Sequence, residues 1–266
     1  MKKGLFLMVA FMASLFLMSA QNASESKNSA KSDESTFMLG AFGGLNIPNL
    51  TGGGGNPLSE GWSSRQGGAY GVTLDWNTGR HFGWRADVLY SGEGGQRNGM
   101  QALAASSFNP QAPANTYLYA NYNNKSELNY LEVPIMAKYS LFLSKSSKIY
   151  IDFGPYVGFL LNAKQITGGS SIVYADAAGT MPVTVNPQSG QPYPAPFDAN
   201  TDITNQINTI NFGLTGGIGF SQGVGFGAVF LDFRGAYGLT TIQKYSQNGT
   251  SHTGNLCISL GYSIPL

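Results

Sequence analysis

Hydrophobic and polar positions alternate along most of the chain, and the pattern is clearest in residues 128–141, "LNYLEVPIMAKYSL". Every second residue from Leu131 onward is apolar or aromatic, while the positions between include Glu132 and Lys138. Successive side chains of a β-strand point to opposite faces of the sheet. The segment is therefore predicted to be a strand with one oily face and isolated charges on the other.

The same period of two recurs from residue 36 onward, and no segment there has sustained helical periodicity. The alternating runs are separated by stretches rich in Gly, Asn, Ser and Pro, which favour turns and loops. The pattern predicts eight strands, near residues 36–46, 67–77, 81–91, 127–141, 148–164, 207–220, 225–239 and 254–266.

The predicted connections alternate in length. Those after the second, fourth and sixth strands are short, with the sequences "NTGR", "LFLSKSSK" and "SQGVG". Those after the first, third, fifth and seventh are long, at 47–66, 92–126, 165–206 and 240–253. Short turns at one end and long loops at the other are typical of a bacterial outer-membrane barrel. Loops this long count against a compact soluble domain.

Strands can cross a bilayer only as a closed barrel, because hydrocarbon offers no water to satisfy open backbone groups. Each strand then has an apolar row facing lipid and tolerates a polar row facing inward. We predict an all-β fold: an eight-stranded antiparallel up-and-down transmembrane β-barrel with short periplasmic turns and long extracellular loops. Pro134 and Pro155 cannot donate to the ladder, and each is expected to mark a bulge or kink.

Parity along the strands assigns nine charged side chains to the barrel interior. Eight strands enclose a space that side chains nearly fill, and an unpaired charge buried there is costly. Five acids against four bases favour a self-neutralising network of structural ion pairs, with a proton or small-ion pathway as the alternative. The predicted interior charges are Asp75, Arg85, Asp87, Glu132, Lys138, Asp152, Lys164, Asp232 and Arg234.

The first residues have a different character. Residues 1–20 combine Lys2 and Lys3 with an apolar run at 5–18 and the small residues Ser19 and Ala20, which predicts a secretory signal peptide. A membrane anchor is the alternative, but the run is shorter than the roughly 20 apolar residues of a spanning helix. Residues 21–35 are polar and low in complexity, as in a flexible periplasmic spacer. Residues 36–266 then form the barrel domain.

Charge and cysteine content exclude several classes of function. The chain of 266 residues has a net charge of +1, and loss of Lys2 and Lys3 with the signal peptide makes it −1. No basic patch for nucleic acid is indicated. The lone Cys257 cannot form an internal disulfide, and no Cys/His metal spacing is present in the sequence. No cofactor, metal or catalytic residue is predicted.

Several segments resemble the outer-membrane β-barrel domain family that includes PorT-like proteins. "YLEVPIMAKY" at 130–139 and "IYIDFGPYVGFLLNAK" at 149–164 are similar to its central strand pair. "FMLGAFGGLNIP" at 37–48 resembles its opening strand, and 211–220 and 231–242 resemble later strands. The resemblance spans residues 36–266. It implies an integral protein of the outer membrane, surrounded by lipid, with both termini in the periplasm.

The last residues, "SLGYSIPL", resemble the terminal pattern that the outer-membrane assembly machinery reads. The matching positions are Ser259, Gly261, Ile264 and Leu266, although such patterns usually end in an aromatic residue. The PorT-like branch is associated with a secretion system. The resemblance thus implies a non-enzymatic secretion or assembly accessory, or an envelope structural protein, whose long loops could contact secretion-system or surface partners.

Three other functions remain open at the level of sequence. Loops 92–126 and 165–206 could bind a surface partner, with Tyr117, Tyr119 and Tyr122 as anchors, although this tyrosine run could instead extend a strand above the membrane. A small open pore is the second. A lipid hydrolase using Ser251 and His252 is the third, but adjacent strand residues point to opposite faces.

Overall fold

The structure is a computed structural model that describes residues 36–53, 55–184, 191–192 and 194–266. The predicted signal peptide at 1–20 and spacer at 21–35 lie outside the described residues. The described strands are β1 (Thr36–Gly52), β2 (Gly67–Asn77), β3 (Phe82–Ala104), β4 (Tyr117–Phe142), β5 (Ser147–Gly168), β6 (Ser170–Tyr174), β7 (Pro194–Pro196), β8 (Ala199–Asp202), β9 (Ile210–Val224), β10 (Gly227–Gly238) and β11 (Ser251–Pro265). Short 3-10 turns occur at Ala105–Ser107, Thr204–Gln206 and Ser246–Asn248.

Eight of these strands form a closed antiparallel ring, in the order β1, β2, β3, β4, β5, β9, β10 and β11. The ring closes where β1 pairs with β11, with Met38 opposite Pro265 and Gly52 opposite Ser251. Closure pairs the backbone of every wall strand on both sides, as a membrane barrel requires. The predicted eight-stranded barrel is confirmed.

The two faces of the wall differ as the alternation predicted. The outward row is apolar, and Ile135, Phe153 and Ile218 are each more than half exposed. The inward row holds polar side chains such as Thr73 and Asn211, which are buried. In the described part of the chain no helix is long and apolar enough to cross a membrane, a finding that concerns helices alone.

The connections sort by length, as expected. Residues 78–81, 143–146 and 225–226 make short turns at one end of the barrel, which we call the short-turn end. Residues 53–66, 105–116, 169–209 and 239–250 connect strands at the other end, the long-loop end. Both chain ends of the barrel domain lie at the short-turn end, because β1 starts there and β11 finishes there.

The prediction that 92–126 is a loop is wrong. β3 and β4 continue as a paired hairpin up to Ala104 opposite Tyr117. Spanning a bilayer takes about 9–11 residues per strand, so these strands of 23 and 26 residues project well past the barrel wall. Tyr117, Tyr119 and Tyr122 belong to β4, which confirms the interpretation that these tyrosines extend a strand. We call this projection, with β6, β7 and β8, the outer sheet.

Neither proline shifts the register of its strand. Pairing is in the same register on both sides of Pro134 and of Pro155, so the expected bulges are absent there. The ladders instead skip two residues near each proline, which accommodates the missing donor. The register shift between β4 and β5 occurs where Asn129 pairs with Asn162 and Tyr130 with Leu160. Leu161 is the extra residue, and β5 side chains beyond it change face.

The long-loop end is covered by an apolar cluster, which we call the apolar cap. Side chains from the barrel wall meet side chains from two long loops, and the loops also bond to each other: the Asn208 N–H donates to the Ile242 carbonyl at 2.8 Å. The cap comprises Leu50, Leu128, Tyr130, Ala163, Ile203, Ile207 and Ile242, with Trp62 and Leu160 packed against it. The loops therefore close over this end of the barrel.

Candidate functional site

Arg85 lies at the centre of the barrel interior. It is buried on β3, and its Nε is 3.0 Å from Asp87 Oδ1. Its Nη2 is 2.9 Å from Asp232 Oδ2, and its Nη1 is 3.8 Å from Asp152 Oδ2. The guanidinium thus reaches carboxylates from three different strands, which only a planar, multiply donating side chain can do.

Arg234 contacts the same three aspartates from the other side. Its Nη1 is 2.7 Å from Asp87 Oδ2, and its Nη2 is 3.4 Å from Asp152 Oδ2 and 3.6 Å from Asp232 Oδ2. Two arginines and three aspartates therefore form one cross-barrel unit, which we call the central network. Its members are Arg85, Asp87, Asp152, Asp232 and Arg234.

A second ion pair lies nearer the short-turn end. Lys138 Nζ is 2.8 Å from Asp75 Oδ1 and 3.9 Å from the centre of the Tyr150 ring. The Tyr150 hydroxyl donates to Asp232, so this pair is joined to the central network. Parity predicted both members of the pair, but it did not indicate that Tyr150 links them to the network.

The prediction that Lys164 faces the barrel interior is wrong. Its side chain is exposed, whereas its neighbour Ala163 is fully buried. The cause is the extra residue at Leu161, which moves every later residue of β5 to the opposite face. The other eight predicted charges line the interior.

Glu93 is an interior charge that the sequence analysis missed. Its Oε1 accepts hydrogen bonds from Ser91 Oγ at 2.7 Å and from Asn46 Nδ2 at 3.0 Å, and also from the Asn255 side chain. The alternation could not reveal it, because "SGEGG" interrupts the period of two and Ser91, Glu93 and their neighbours are all buried.

The set of interior charges therefore differs from the predicted one. Losing Lys164 and gaining Glu93 turns the predicted set into six acids and three bases. The structure adds two cations: the buried Arg65, which donates to the Glu93 carbonyl, and Lys148, which lines the short-turn end of the interior. No Lys or Arg nitrogen of the described residues lies within 4.0 Å of either the Glu93 or the Glu132 carboxylate. The central network is a structural assembly in which carboxylates outnumber cations, with an acidic region above it.

The interior leaves little free space at the level of the network. Next to Glu132 and Arg234 there is a cavity of about 30 Å³, which is room for about one water molecule. A much larger cavity opens at the short-turn end, with a volume of about 760 Å³. The buried charges of the network separate that cavity from the apolar cap.

The candidate hydrolase pair does not form. Ser251 is fully buried and accepts a hydrogen bond from Gln243 Nε2 at 3.0 Å. His252 lies on the other face of β11, stacked on Tyr237 with ring centres 5.9 Å apart. The two side chains point to opposite faces, as the strand geometry predicted. Among the described residues, no group of three or more His, Cys, Asp or Glu side chains is placed to hold a metal ion.

The four positions of the terminal pattern lie on or just after β11. Ser259 is buried inside the barrel, and Gly261 on the same face lies beneath the Phe230 ring, where a Cβ would come within 2.3 Å of a ring carbon. Ile264 is on the outward face, and the exposed Leu266 donates its N–H to the Phe37 carbonyl. Their role in assembly remains a prediction.

A ring of eight antiparallel strands, oily outside and charged within, defines an integral outer-membrane β-barrel protein. Residues 19–244 match the family described as outer membrane protein beta-barrel domain, and the chain belongs to that family. No curated protein matches the sequence. Membership implies the bacterial outer membrane as the location.

Solved structures of small outer-membrane proteins are similar in fold. Ail of Yersinia pestis, crystallised with the heparin analogue sucrose octasulfate, has 9% identity and a TM-score of 0.36, covering 86% of this chain and 99% of that chain. Neisserial surface protein A has 14% identity and a TM-score of 0.37, covering 86% and 97%. OprG from Pseudomonas aeruginosa has 8% identity and a TM-score of 0.35, covering 88% and 98%.

Proposed function

We propose that the chain is a non-enzymatic, non-conducting outer-membrane barrel that serves as a secretion or assembly accessory, or as a structural protein of the envelope. The short-turn end, with both termini of the domain, faces the periplasm, and the long-loop end faces the outside. Outer-membrane lipid and the outer-membrane assembly machinery are its general partners.

The observation that supports this proposal is a double seal along the barrel axis. Arg85, Asp87 and Asp152 are each no more than 4% exposed, so charged side chains fill the centre. Beyond them, Ile203, Ile207 and Ile242 fill the long-loop end with apolar side chains. An ion would have to displace hydrogen-bonded pairs and then cross an apolar region, and both steps are costly.

The accessory role is favoured by the PorT-like segments and by the outer sheet. A sheet of paired strands that projects from a sealed barrel can present a surface to another envelope protein. Its partner would be a secretion-system or surface protein rather than a solute.

Reconstituted in planar bilayers, the wild-type protein is expected to give no unitary current steps. The double seal predicts this at either voltage polarity, because neither seal depends on an applied field for its packing. A general porin in the same membranes is the positive control. Reproducible steps from the wild-type chain would refute the non-conducting proposal and favour the small-channel alternative.

The surface-recognition alternative is supported by a cleft at the base of the outer sheet. The cleft has a volume of about 340 Å³ and is lined by Glu60, Arg97, Met100 and Tyr119, among others. Arg97 is fixed there: it stacks 4.3 Å from the Trp62 ring centre and donates to the Glu60 carbonyl at 2.9 Å. Met100 lies beside it and is 40% exposed. Its flexible apolar side chain can adapt to the surface of a partner.

Site-specific photocrosslinking in intact cells tests whether this cleft has a protein partner. A photoreactive residue at Met100 is expected to give one discrete protein adduct, and the same residue at Ile135 on the barrel wall is expected to give none. Ile135 is the matched control because it is exposed, apolar and directed towards lipid. If both positions give the same adducts or neither gives any, the cleft is not a recognition surface.

A further inference from the structure

The cavity at the short-turn end, which we call the vestibule, has the dimensions of a ligand site. Its volume of about 760 Å³ falls within the roughly 300–1,000 Å³ of small-molecule pockets. The Lys138–Asp75 pair and Tyr150, whose hydroxyl donates to Asp232 of the central network, line its inner end. It is therefore a blind pocket, entered from the short-turn end.

The charge around the vestibule is predominantly positive. Its lining includes Arg80, Lys138 and Lys148 but a single acidic side chain, Asp75. Asp75 is already paired with Lys138 at 2.8 Å. Among the described residues, no carboxylate lies within 4.0 Å of the charged atoms of Arg80 or Lys148. Within the described part of the chain, the pocket thus has two cations that form no salt bridge.

Lys148 is the more informative of these two cations. It lies at the start of β5, is partly buried, and is repelled by Lys138 and Arg85 and attracted by Asp75. Two ammonium groups facing one pocket repel each other, and partial burial strengthens that repulsion. A bound anion would relieve it, whereas a bound cation would increase it.

The vestibule also offers a fixed apolar wall. Phe230, Phe142 and Met38 line it, together with the ring of Tyr150. Tyr150 is held by Lys138 on its face and by Asp232 at its hydroxyl, so its position is set before any ligand enters. A rigid apolar wall beside two cations suits a molecule with one charged and one apolar end.

We propose that the vestibule binds a small organic oxyanion, a carboxylate or phosphate group on a compact apolar skeleton. Lys148 and Arg80 receive the anionic group, and Phe230 and Tyr150 contact the skeleton. This site lies at the opposite end of the barrel from the recognition cleft and the outer sheet, and it goes beyond the proposed accessory role.

Fluorine NMR of the full protein in phosphatidylcholine nanodiscs tests the site. The anionic probes are 4-fluorobenzoate and 4-fluorophenyl phosphate, and the controls are neutral 4-fluorobenzyl alcohol and cationic 4-fluorobenzylammonium. At least one anionic probe is expected to bind saturably, and the better of the two identifies the preferred oxyanion. Empty nanodiscs give the background from partitioning into lipid.

Variants then locate the binding. Lys148→Gln is expected to lower the affinity for the anionic probe by about tenfold, because a charge-assisted hydrogen bond is lost. Lys148→Arg is expected to retain binding, which separates loss of charge from a folding defect. Lys145→Gln is the matched control: Lys145 lies in the same turn, is exposed and does not line the vestibule.

The outcomes are decisive in both directions. Tenfold weakening in Lys148→Gln, with Lys145→Gln within about twofold of wild type, supports the site. Equal affinity of Lys148→Gln and wild type, or equally tight binding of the benzyl alcohol, overturns it.

Discussion

Replacing Arg85 with methionine is expected to destabilise the barrel more than any other single change to a charge. Arg85 lies 3.0 Å from Asp87 and 2.9 Å from Asp232. Its removal leaves three buried aspartates with Arg234 as their only cationic partner among the described residues. Removing one partner of a buried pair typically costs about 3–5 kcal/mol, and Arg85 serves several partners. The expected loss in the free energy of unfolding is therefore at least about 3 kcal/mol.

Urea unfolding in lipid vesicles, followed by tryptophan fluorescence, measures this loss. Lys164→Met is the control, since the same loss of a cation on an exposed barrel side chain should change stability by no more than about 0.5 kcal/mol. Arg85→Lys should fall between the two, because an ammonium cannot reach three carboxylates as a guanidinium does. Similar unfolding midpoints for Arg85→Met and Lys164→Met would show that the central network is not what stabilises the interior.

The contrast between Arg85 and Lys164 also shows where the sequence alone could predict which face of the wall a side chain occupies. Asp75 and Arg85 are direct cross-strand neighbours in an uninterrupted ladder, and there a period of two assigns each side chain to the correct face. Lys164 follows an extra residue at Leu161, and a single insertion reverses the assignment of everything after it. No local signal in "GFLLNAK" distinguishes Leu161 as the inserted residue.

The parts of the molecule that could not be predicted depend on contacts between distant segments. Glu93 is inside because β3 continues through a glycine-rich stretch, and its partner Asn255 is 162 positions away. The apolar cap likewise brings Ile203 and Ile207 against Leu50 and Ile242 across two loops. Alternation predicts the face of a residue within one strand, but it carries no information about which loop covers which end.

The class of protein could be predicted from the sequence, whereas the site could not, and the difference has a physical reason. Lipid imposes a repeated requirement on every strand, so eight alternating segments and the unequal connections report the same fold independently. The vestibule arises from Lys148, Arg80 and Phe230, which lie on three different parts of the chain. Each has an ordinary role in its own segment, and only the closed ring brings them around one pocket.

Gly219→Val is expected to have the second large effect, because an interior aromatic ring occupies the space next to that glycine. A Cβ at Gly219 would lie 2.2 Å from Tyr150 Cζ and 2.5 Å from Asp232 Oδ1. Tyr150 cannot easily move away, since Lys138 packs on its face and its hydroxyl bonds to Asp232. Overpacking costs about 1–3 kcal/mol, and a broken hydrogen bond to a charged group adds about 1.5–3 kcal/mol.

Gly43→Val provides the matched comparison on the opposite face of the wall. A Cβ at Gly43 would have no neighbour within 4 Å, and valine suits a lipid-facing strand position. Its unfolding midpoint should stay close to that of the wild type, while Gly219→Val unfolds at a markedly lower urea concentration. In a double-mutant cycle, Tyr150→Leu should reduce the cost of Gly219→Val, because the smaller side chain vacates the contested space. Strictly additive effects would mean that the Tyr150 ring is not the obstacle, and that the glycine serves the backbone of β9 instead.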